Sequence, residues 1–156
     1  MKKSILLIVV LILAVSLSAQ TKSELKISQK AKATFAKFYP NVKEVKWDKE
    51  GANYEASFKN GGKDMSIIFD NDGKTLETET AIDIAQLPKG IDKYIAENYK
   101  GFSLTGAAKI VKSNSEVLFE AEVTHGKEKK DLLFDASGKP EKKDVNKETE
   151  KEDEKN

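Results

Sequence analysis

The sequence predicts an α+β protein: a tandem repeat of a helix followed by about four antiparallel strands, forming one antiparallel sheet with the helices packed on one face. Three observations carry this. Tyr54 to Lys74 aligns without a gap on Phe119 to Lys139, 65 positions later, and such self-similarity exposes architecture. Within each copy, apolar residues alternate with polar ones at the strand period, and ahead of each copy they recur at the helix period. Glu55, Ala56, Gly61, Phe69, Asp70, Gly73 and Lys74 return as Glu120, Ala121, Gly126, Phe134, Asp135, Gly138 and Lys139. What repeats is turns and apolar positions.

In the first unit, Ile27, Ala31, Phe35 and Phe38 lie at i, i+4, i+8 and i+11, with Lys26, Lys30, Lys32 and Lys37 mostly on the other sides. This is an amphipathic helix. Ser28 is its N-cap, and Pro40 ends it by pushing Tyr39 out of the α region. Val42 to Asp48 places Val45 and Trp47 on one face of a short strand, and Glu50-Gly51 supplies a turn. Tyr54, Ala56 and Phe58 alternate with Glu55, Ser57 and Lys59, Asn60-Gly61-Gly62 reverses the chain, and Met65, Ile67 and Phe69 form the next apolar edge. Asp70-Asn71-Asp72-Gly73 is a hairpin turn before Thr75 to Thr80.

The second unit follows the same order. Pro88 opens a helix carrying Ile91, Ile95 and Tyr99 on one side, with Gly101 just past its end. Tyr39 matches Tyr99 at an offset of 60 rather than 65, so about five residues are inserted between Phe102 and Asn114, and a longer first strand takes them up. Val117, Phe119, Ala121 and Val123 then alternate inward, His125-Gly126 turns the chain, Leu132 and Phe134 face the core, and Asp135 to Gly138 makes the last hairpin.

Around this body the ends differ in composition. Met1-Lys2-Lys3, the apolar run Ile5 to Leu17 and the small residues Ser18-Ala19 read as a secretory signal. The expected organisation is a signal peptide at 1–19, a linker at 20–26, one domain made of repeat 1 (27–80) and repeat 2 (81–140), and a charged tail at 141–156. From Glu141 onward twelve of sixteen residues are charged and only Val145 is apolar, a composition that does not order by itself. The expected location is the periplasm or outside the cell, with no stable membrane insertion after signal cleavage.

There is no cysteine, so the exported chain is held by its core alone. Each half, at roughly 55 to 60 residues, is marginal by itself, and the two repeats are expected to share one core. Removing Lys2 and Lys3 from 27 basic and 26 acidic residues leaves 25 against 26. Nothing global attracts nucleic acid. Every basic residue is lysine, so the bidentate arginine contacts to phosphate and guanine are absent too. The lysines between Lys22 and Lys49 read as a solvated helix face.

The residue inventory also excludes most chemistry. A thiol nucleophile is impossible without cysteine, and the one histidine, His125, occupies a hairpin turn equivalent to Asn60. Histidine and cysteine metal clusters fail on the same count. Asp70-Asn71-Asp72-Gly73 brings glycine at position 4 rather than 6 of a calcium loop, so it is read as a turn. No catalytic, metal or cofactor site is expected. Glu55 and Glu120 point to the helix-free side of the sheet, where a carboxylate pair needs enclosure to act in acid and base work.

On that side one pattern breaks. Ile68 and Leu133 occupy equivalent positions and by alternation face away from the helices, as does Leu118; an open sheet face normally carries polar residues there. Ile68, Leu118, Leu133, Glu55 and Glu120 are therefore the candidate partner-binding residues, for an envelope protein or peptide. Trp47 and Tyr54 are candidates for a small-ligand cleft between the repeats.

A helix ending in Phe35-x-x-Phe38-Tyr39-Pro40, then Val45-Lys46-Trp47, Tyr54-Glu55-Ala56-Ser57-Phe58, Phe69-Asp70-Asn71-Asp72-Gly73, Leu87-Pro88 and a second Phe134-Asp135-Ala136-Ser137-Gly138 resemble, in that order, the PepSY-like, β-lactamase-inhibitor-like (BLIP-like) exported proteins of Bacteroidetes-type bacteria. The resemblance covers about residues 27 to 140. It implies the tandem helix-plus-sheet fold, a sheet surface available for binding, and no catalytic residues to carry over. The second repeat departs from it: no tryptophan follows the helix, and Lys100-Gly101 stands where Pro40 has its counterpart. The function expected is an exported, non-catalytic binding module, inhibitor-like, that recognises a protein or peptide with its sheet face; the alternative is a small-ligand or envelope-sensing protein.

Overall fold

The computed structural model describes residues 26–141. The expected signal at 1–19, most of the 20–26 linker and the tail after Glu141 lie outside them. In chain order the elements are α1 (Gln29–Phe38), β1 (Val45–Glu50), β2 (Asn53–Asn60), β3 (Lys63–Phe69), β4 (Thr75–Ala81), a 3₁₀ turn at Ile84–Gln86, α2 (Ile91–Asn98), β5 (Ser103–Lys112), β6 (Val117–His125) and β7 (Glu128–Asp135). The seven strands form one sheet in sequence order, every neighbour antiparallel. Short turns permit only this meander locally.

The first helix starts where Ser28 caps it: its Oγ accepts from Ala31 N at 3.5 Å and donates to Asn71 O at 2.8 Å. It stops at Tyr39, whose backbone angles, φ −127° and ψ 57°, have left the α region ahead of Pro40. The second helix begins later than expected. Gly90, at φ 95°, stands at its N-cap, so Pro88 lies in the approach rather than in the first turn. The Ile84–Gln86 turn was not anticipated; Gln86 Oε1 accepts from Asp83 N at 3.0 Å, a polar closure with no apolar period to announce it.

The inserted residues lengthen β5 to ten against six in β1, with a register shift between Leu104 and Gly106. Such a bulge absorbs an odd residue while keeping both faces in phase. The second unit has three strands where four were expected. Phe134 bridges Pro140 just as Phe69 pairs Thr75, and Glu141 N donates to Leu133 O at 2.8 Å; proline, lacking N–H, cannot carry the ladder further at that position.

The expectation of a single shared core is corrected. One cluster of buried residues lies under α1 (Ile27, Ala31, Phe35, Tyr54, Ala56, Phe58, Ile67 and Phe69). A second lies under α2, formed by Ile91, Ile95, Ala121, Val123 and Phe134. The halves are joined by the β4–β5 ladder from Glu77↔Lys112 to Ala81↔Ala108, whose backbone hydrogen bonds make the sheet the common element.

Each hairpin turn of the repeated Asp-x-x-Gly type docks on the start of its own helix. Asp70 Oδ1 accepts from Asp72 N and Lys74 N, both at 2.9 Å; Asp135 Oδ1 accepts from Ser137 N at 2.8 Å and Lys139 N at 3.0 Å. These carboxylates are consumed in holding the turn. The glycine that ends each turn has positive φ, and a Cβ there would sit 2.6 Å from Lys30 C and O at Gly73, and 2.9 Å from Lys89 O at Gly138. Glycine is thus required twice over, by backbone angle and by closeness.

Candidate binding face

Because side chains alternate, the register decides who shares a face. Tyr54, Ala56 and Phe58 lie toward α1, so Glu55 and Ser57 lie on the helix-free side. From there, three rows cross the sheet. Asp48, Glu55, Ile68, Glu77 and Lys112 are directly opposite one another from β1 to β5. Lys46, Ser57, Ser66, Glu79, Ile110, Leu118 and Asp135 form a row through all seven strands. Ala81, Ala108, Glu120 and Leu133 form the third.

All five candidate partner-binding residues are on this face, and the repeat is visible in it. Glu55 is the direct cross-strand partner of Ile68, and Glu120 of Leu133. No local slip puts Ile68 there, since the β3–β4 register shift falls after it, between Ile68 and Phe69. Ile68 and Leu133 are half-buried, whereas Leu118 is only 4% exposed. The accessible apolar surface is therefore offered by Ile68 and Leu133, with Leu118 packed deeper.

Sequence reasoning missed Ile110 and Ala108, which are 4% and 6% exposed on the same side. The interior strand β5 inverts the usual arrangement: Val111, which faces the helix side, is 39% exposed. The signal was the alternation of Ala108 and Ile110 with Lys109. Ile110 is flanked across the strands by Glu79 and Leu118, and long carboxylate stems beside an apolar side chain remove much of its accessible area.

Charge on this face is one-sided. Residues 26–141 contain 19 lysines and 19 carboxylates, so the described body is neutral. Yet the helix-free side carries Asp48 and Glu50 on β1, Glu55 on β2, Asp64 on β3, Glu77 and Glu79 on β4, Glu120 and Glu122 on β6, and Asp131 and Asp135 on β7. Against these ten stand four lysines: Lys46, Lys59, Lys112 and Lys129. The lysines pair locally, Lys46 with Asp48 at 2.7 Å, Lys59 with Asp64 at 2.6 Å and Lys129 with Glu122. Hydrogen bonding to Lys129, and then to Thr105 Oγ1 at 2.8 Å, holds the Glu122 carboxyl below its ordinary range. Asp131 Oδ1 is buried with no hydrogen-bond partner.

The other two candidates lie elsewhere. The Trp47 ring packs at 5.6 Å from Phe35 and 5.9 Å from Phe69, and Tyr54 is buried with its hydroxyl donating to Asn71 Oδ1 at 2.8 Å. Both belong to the packing under α1, and where the repeats meet there is a hydrogen-bonded strand pair. An open depression of about 1090 Å³ lies at the Asn41–Lys46 and Ser57–Gly61 end of the sheet, lined by neither residue. The His125 ring lies 5.5 Å from that of Phe102, tilted by 48°, where β6 enters the turn to β7. Among the described residues no group of three or more histidine, cysteine, aspartate or glutamate side chains is placed to hold a metal ion. No described helix is long and apolar enough to cross a membrane.

The duplicated turn, the two helices on one side and the continuous sheet have a counterpart among known proteins. Residues 16–76 and, separately, 52–141 match the family described as "Putative beta-lactamase-inhibitor-like, PepSY-like". The chain belongs to this family. Two overlapping matches to one family description are what a duplicated unit produces. No curated protein matches the chain.

Solved structures with the same fold include a BLIP-like protein from Bacteroides fragilis, 28% identical, with 85% of this chain and 94% of that one covered at a TM-score of 0.58. A protein described as a "putative periplasmic protein" from Bacteroides eggerthii is 17% identical over 74% of this chain and 86% of its own, at 0.64. A DUF2874 family protein from Bacteroides uniformis is 20% identical over the same shares, at 0.63. The latter two are similar in fold alone.

Proposed function

We propose that this PepSY-like chain is an exported, non-catalytic binding module that recognises a protein or peptide with the helix-free face of its sheet, and acts outside the inner membrane as an inhibitor-like or sequestering protein. One observation carries the reading: both repeats place an apolar residue, Ile68 and Leu133, beside a glutamate on the side no helix covers. Alternation otherwise puts apolar groups under the helices, so conserving the exception in both copies keeps an apolar surface available. The description of the Bacteroides fragilis relative as BLIP-like and of the Bacteroides eggerthii one as periplasmic support the inhibitor-like role and the location.

The test is crosslinking in the native envelope, followed by purification of the chain and of an Ile68→Ser, Leu133→Ser variant. Both positions are half-buried, so the variant is checked for an unchanged unfolding midpoint within about 1 to 2 kcal/mol. Loss of specific crosslinks in the folded variant is the expected result. Retention of the same crosslinks removes this face as the binding surface.

A further inference from the structure

Resting on that reading, we infer that the partner segment is cationic and amphipathic, a lysine- or arginine-bearing peptide stretch with apolar side chains between the charges. The described body is neutral, with 19 charges of each sign, yet ten of the carboxylates and only four of the lysines lie on the helix-free face. This segregation leaves a face of net charge −6 on a body with no net charge. Three of its lysines sit toward the outer strands or turns, Lys46 on β1, Lys59 at the β2–β3 turn and Lys129 on β7, each bound to a carboxylate of this face, and the fourth, Lys112 at the end of β5 opposite Glu77, is paired with Glu116 at 3.2 Å.

The acidic surplus surrounds the apolar positions instead. Ile68 lies between Glu55 and Glu77 in one cross-strand row, Ile110 follows Glu79 in the next, and Leu133 adjoins Glu120. A partner carrying only apolar groups would desolvate Glu55 and Glu77 on either side of Ile68, and an acidic partner would meet repulsion from a face of net negative charge. A segment with cations between apolar residues satisfies both sets at once. Its approach is drawn by the field of the face and is screened by salt.

The experiment uses the full chain and labelled peptides of about ten residues in which pairs of lysines alternate with pairs of leucines, or pairs of glutamates with pairs of leucines, so that each side of the extended peptide carries both charged and apolar groups. Fluorescence anisotropy is recorded from about 0.05 M to about 0.5 M salt. The lysine peptide is expected to bind at low salt and weaken by about tenfold or more at high salt, with no binding of the glutamate peptide. Asp48→Asn, Glu55→Gln and Glu77→Gln together are expected to weaken it about tenfold, while Asp92→Asn and Glu97→Gln on α2 with Glu128→Gln on the helix side of β7, the same change of net charge elsewhere, leave it unchanged.

Failure of the lysine peptide to bind at low salt overturns the inference, as does equal binding of the glutamate peptide or indifference to the face triple variant. Self-association that rises with concentration and disappears in that variant also overturns it, making a second copy the occupant. In each case the sheet-face reading stands if Ile68→Ser with Leu133→Ser still removes the native crosslinks, and falls separately if they persist.

Discussion

The two halves of the molecule solve one folding problem with different side chains. Under α1 the packing is aromatic: Phe35 lies 5.5 Å from Tyr39, 5.6 Å from Trp47 and 4.9 Å from Phe58. At the equivalent helix position the second half has Ile95; Tyr99 keeps the place of Tyr39 and lies 6.1 Å from Phe102, while Tyr94 supplies a ring 5.5 Å from Phe134. What stays fixed is the turn: an aspartate closing on two backbone N–H groups and a glycine pressed against the helix start. Cores tolerate redistribution of apolar volume, whereas a glycine so close to the helix start that a Cβ would overlap its backbone tolerates no added atom.

The turns differ in what surrounds them. Asn71 O and Oδ1 receive Ser28 and Tyr54, and Lys30 reaches Asp72 at 2.6 Å. In the second half Ala136 and Ser137 stand in those places, α2 has no side-chain cap, and the Ser137 hydroxyl folds back on Asp135 Oδ1 at 2.6 Å. The first turn is tied to its helix by side-chain hydrogen bonds, the second by the packing of Gly138 beside Lys89 O and the Pro88 and Ile91 side chains.

The largest effect that probes this contrast is truncation of the central phenylalanines. Phe69→Ala and Phe134→Ala each remove a fully buried ring and should cost about 3 to 5 kcal/mol in urea unfolding. Similar values in both halves mean that the common sheet makes the clusters equally necessary, and a difference above about 2 kcal/mol ranks them. Next come the turn glycines. Gly73→Ala and Gly138→Ala should each lose about 2 to 3 kcal/mol, from positive φ and backbone contact together. Gly61→Ala and Gly126→Ala, with open space around them, should lose about 1 kcal/mol, and equality of the two pairs would remove the docking role assigned to Gly73 and Gly138.

A smaller effect is expected at the cap. Ser28→Ala should cost about 1 kcal/mol, with amide exchange accelerated in the first turn of α1 and unchanged in α2. The smallest concerns acid. The Ser137 hydroxyl first, then the Lys139 and Ser137 N–H groups, hold the Asp135 carboxyl below its ordinary value. A folded pKa below the unfolded one contributes stability that is fully present above the unfolded pKa of about 3.9 and is lost as pH falls through the folded value. Unfolding midpoints of Asp135→Asn between about pH 2 and pH 6 should accordingly show a shallower acid decline than the parent; an unchanged slope would assign the decline to other carboxylates.

Much of the fold was legible because its signals are local. Tyr54, Ala56 and Phe58, and Val117 to Val123, declare strands by alternation alone, and Ser28 and Pro40 bracket α1 by capping and steric rules. The Ile84–Gln86 turn and the delayed start of α2 were not legible, since one depends on a side-chain closure and the other on the left-handed angle of Gly90. Of the candidate face, Ile68, Leu133, Glu55 and Glu120 were legible because the repeat shows each of them twice. Ile110 was not, as its strand carries the insertion and has no counterpart to compare.

By itself, then, the sequence determined the main helices and strands, their order, the antiparallel sense that short turns force within each half, and which residues alternate on each strand. Tertiary structure alone decided that the halves join through β4 and β5 rather than through a common core, that Ile110 and Leu118 are buried on the side without helices, and that ten carboxylates gather there. The reason is one of range. Periodicity and turn chemistry act over a few residues, whereas the identity of a cross-strand neighbour depends on register summed along seven strands, and charge segregation exists only after that register is set.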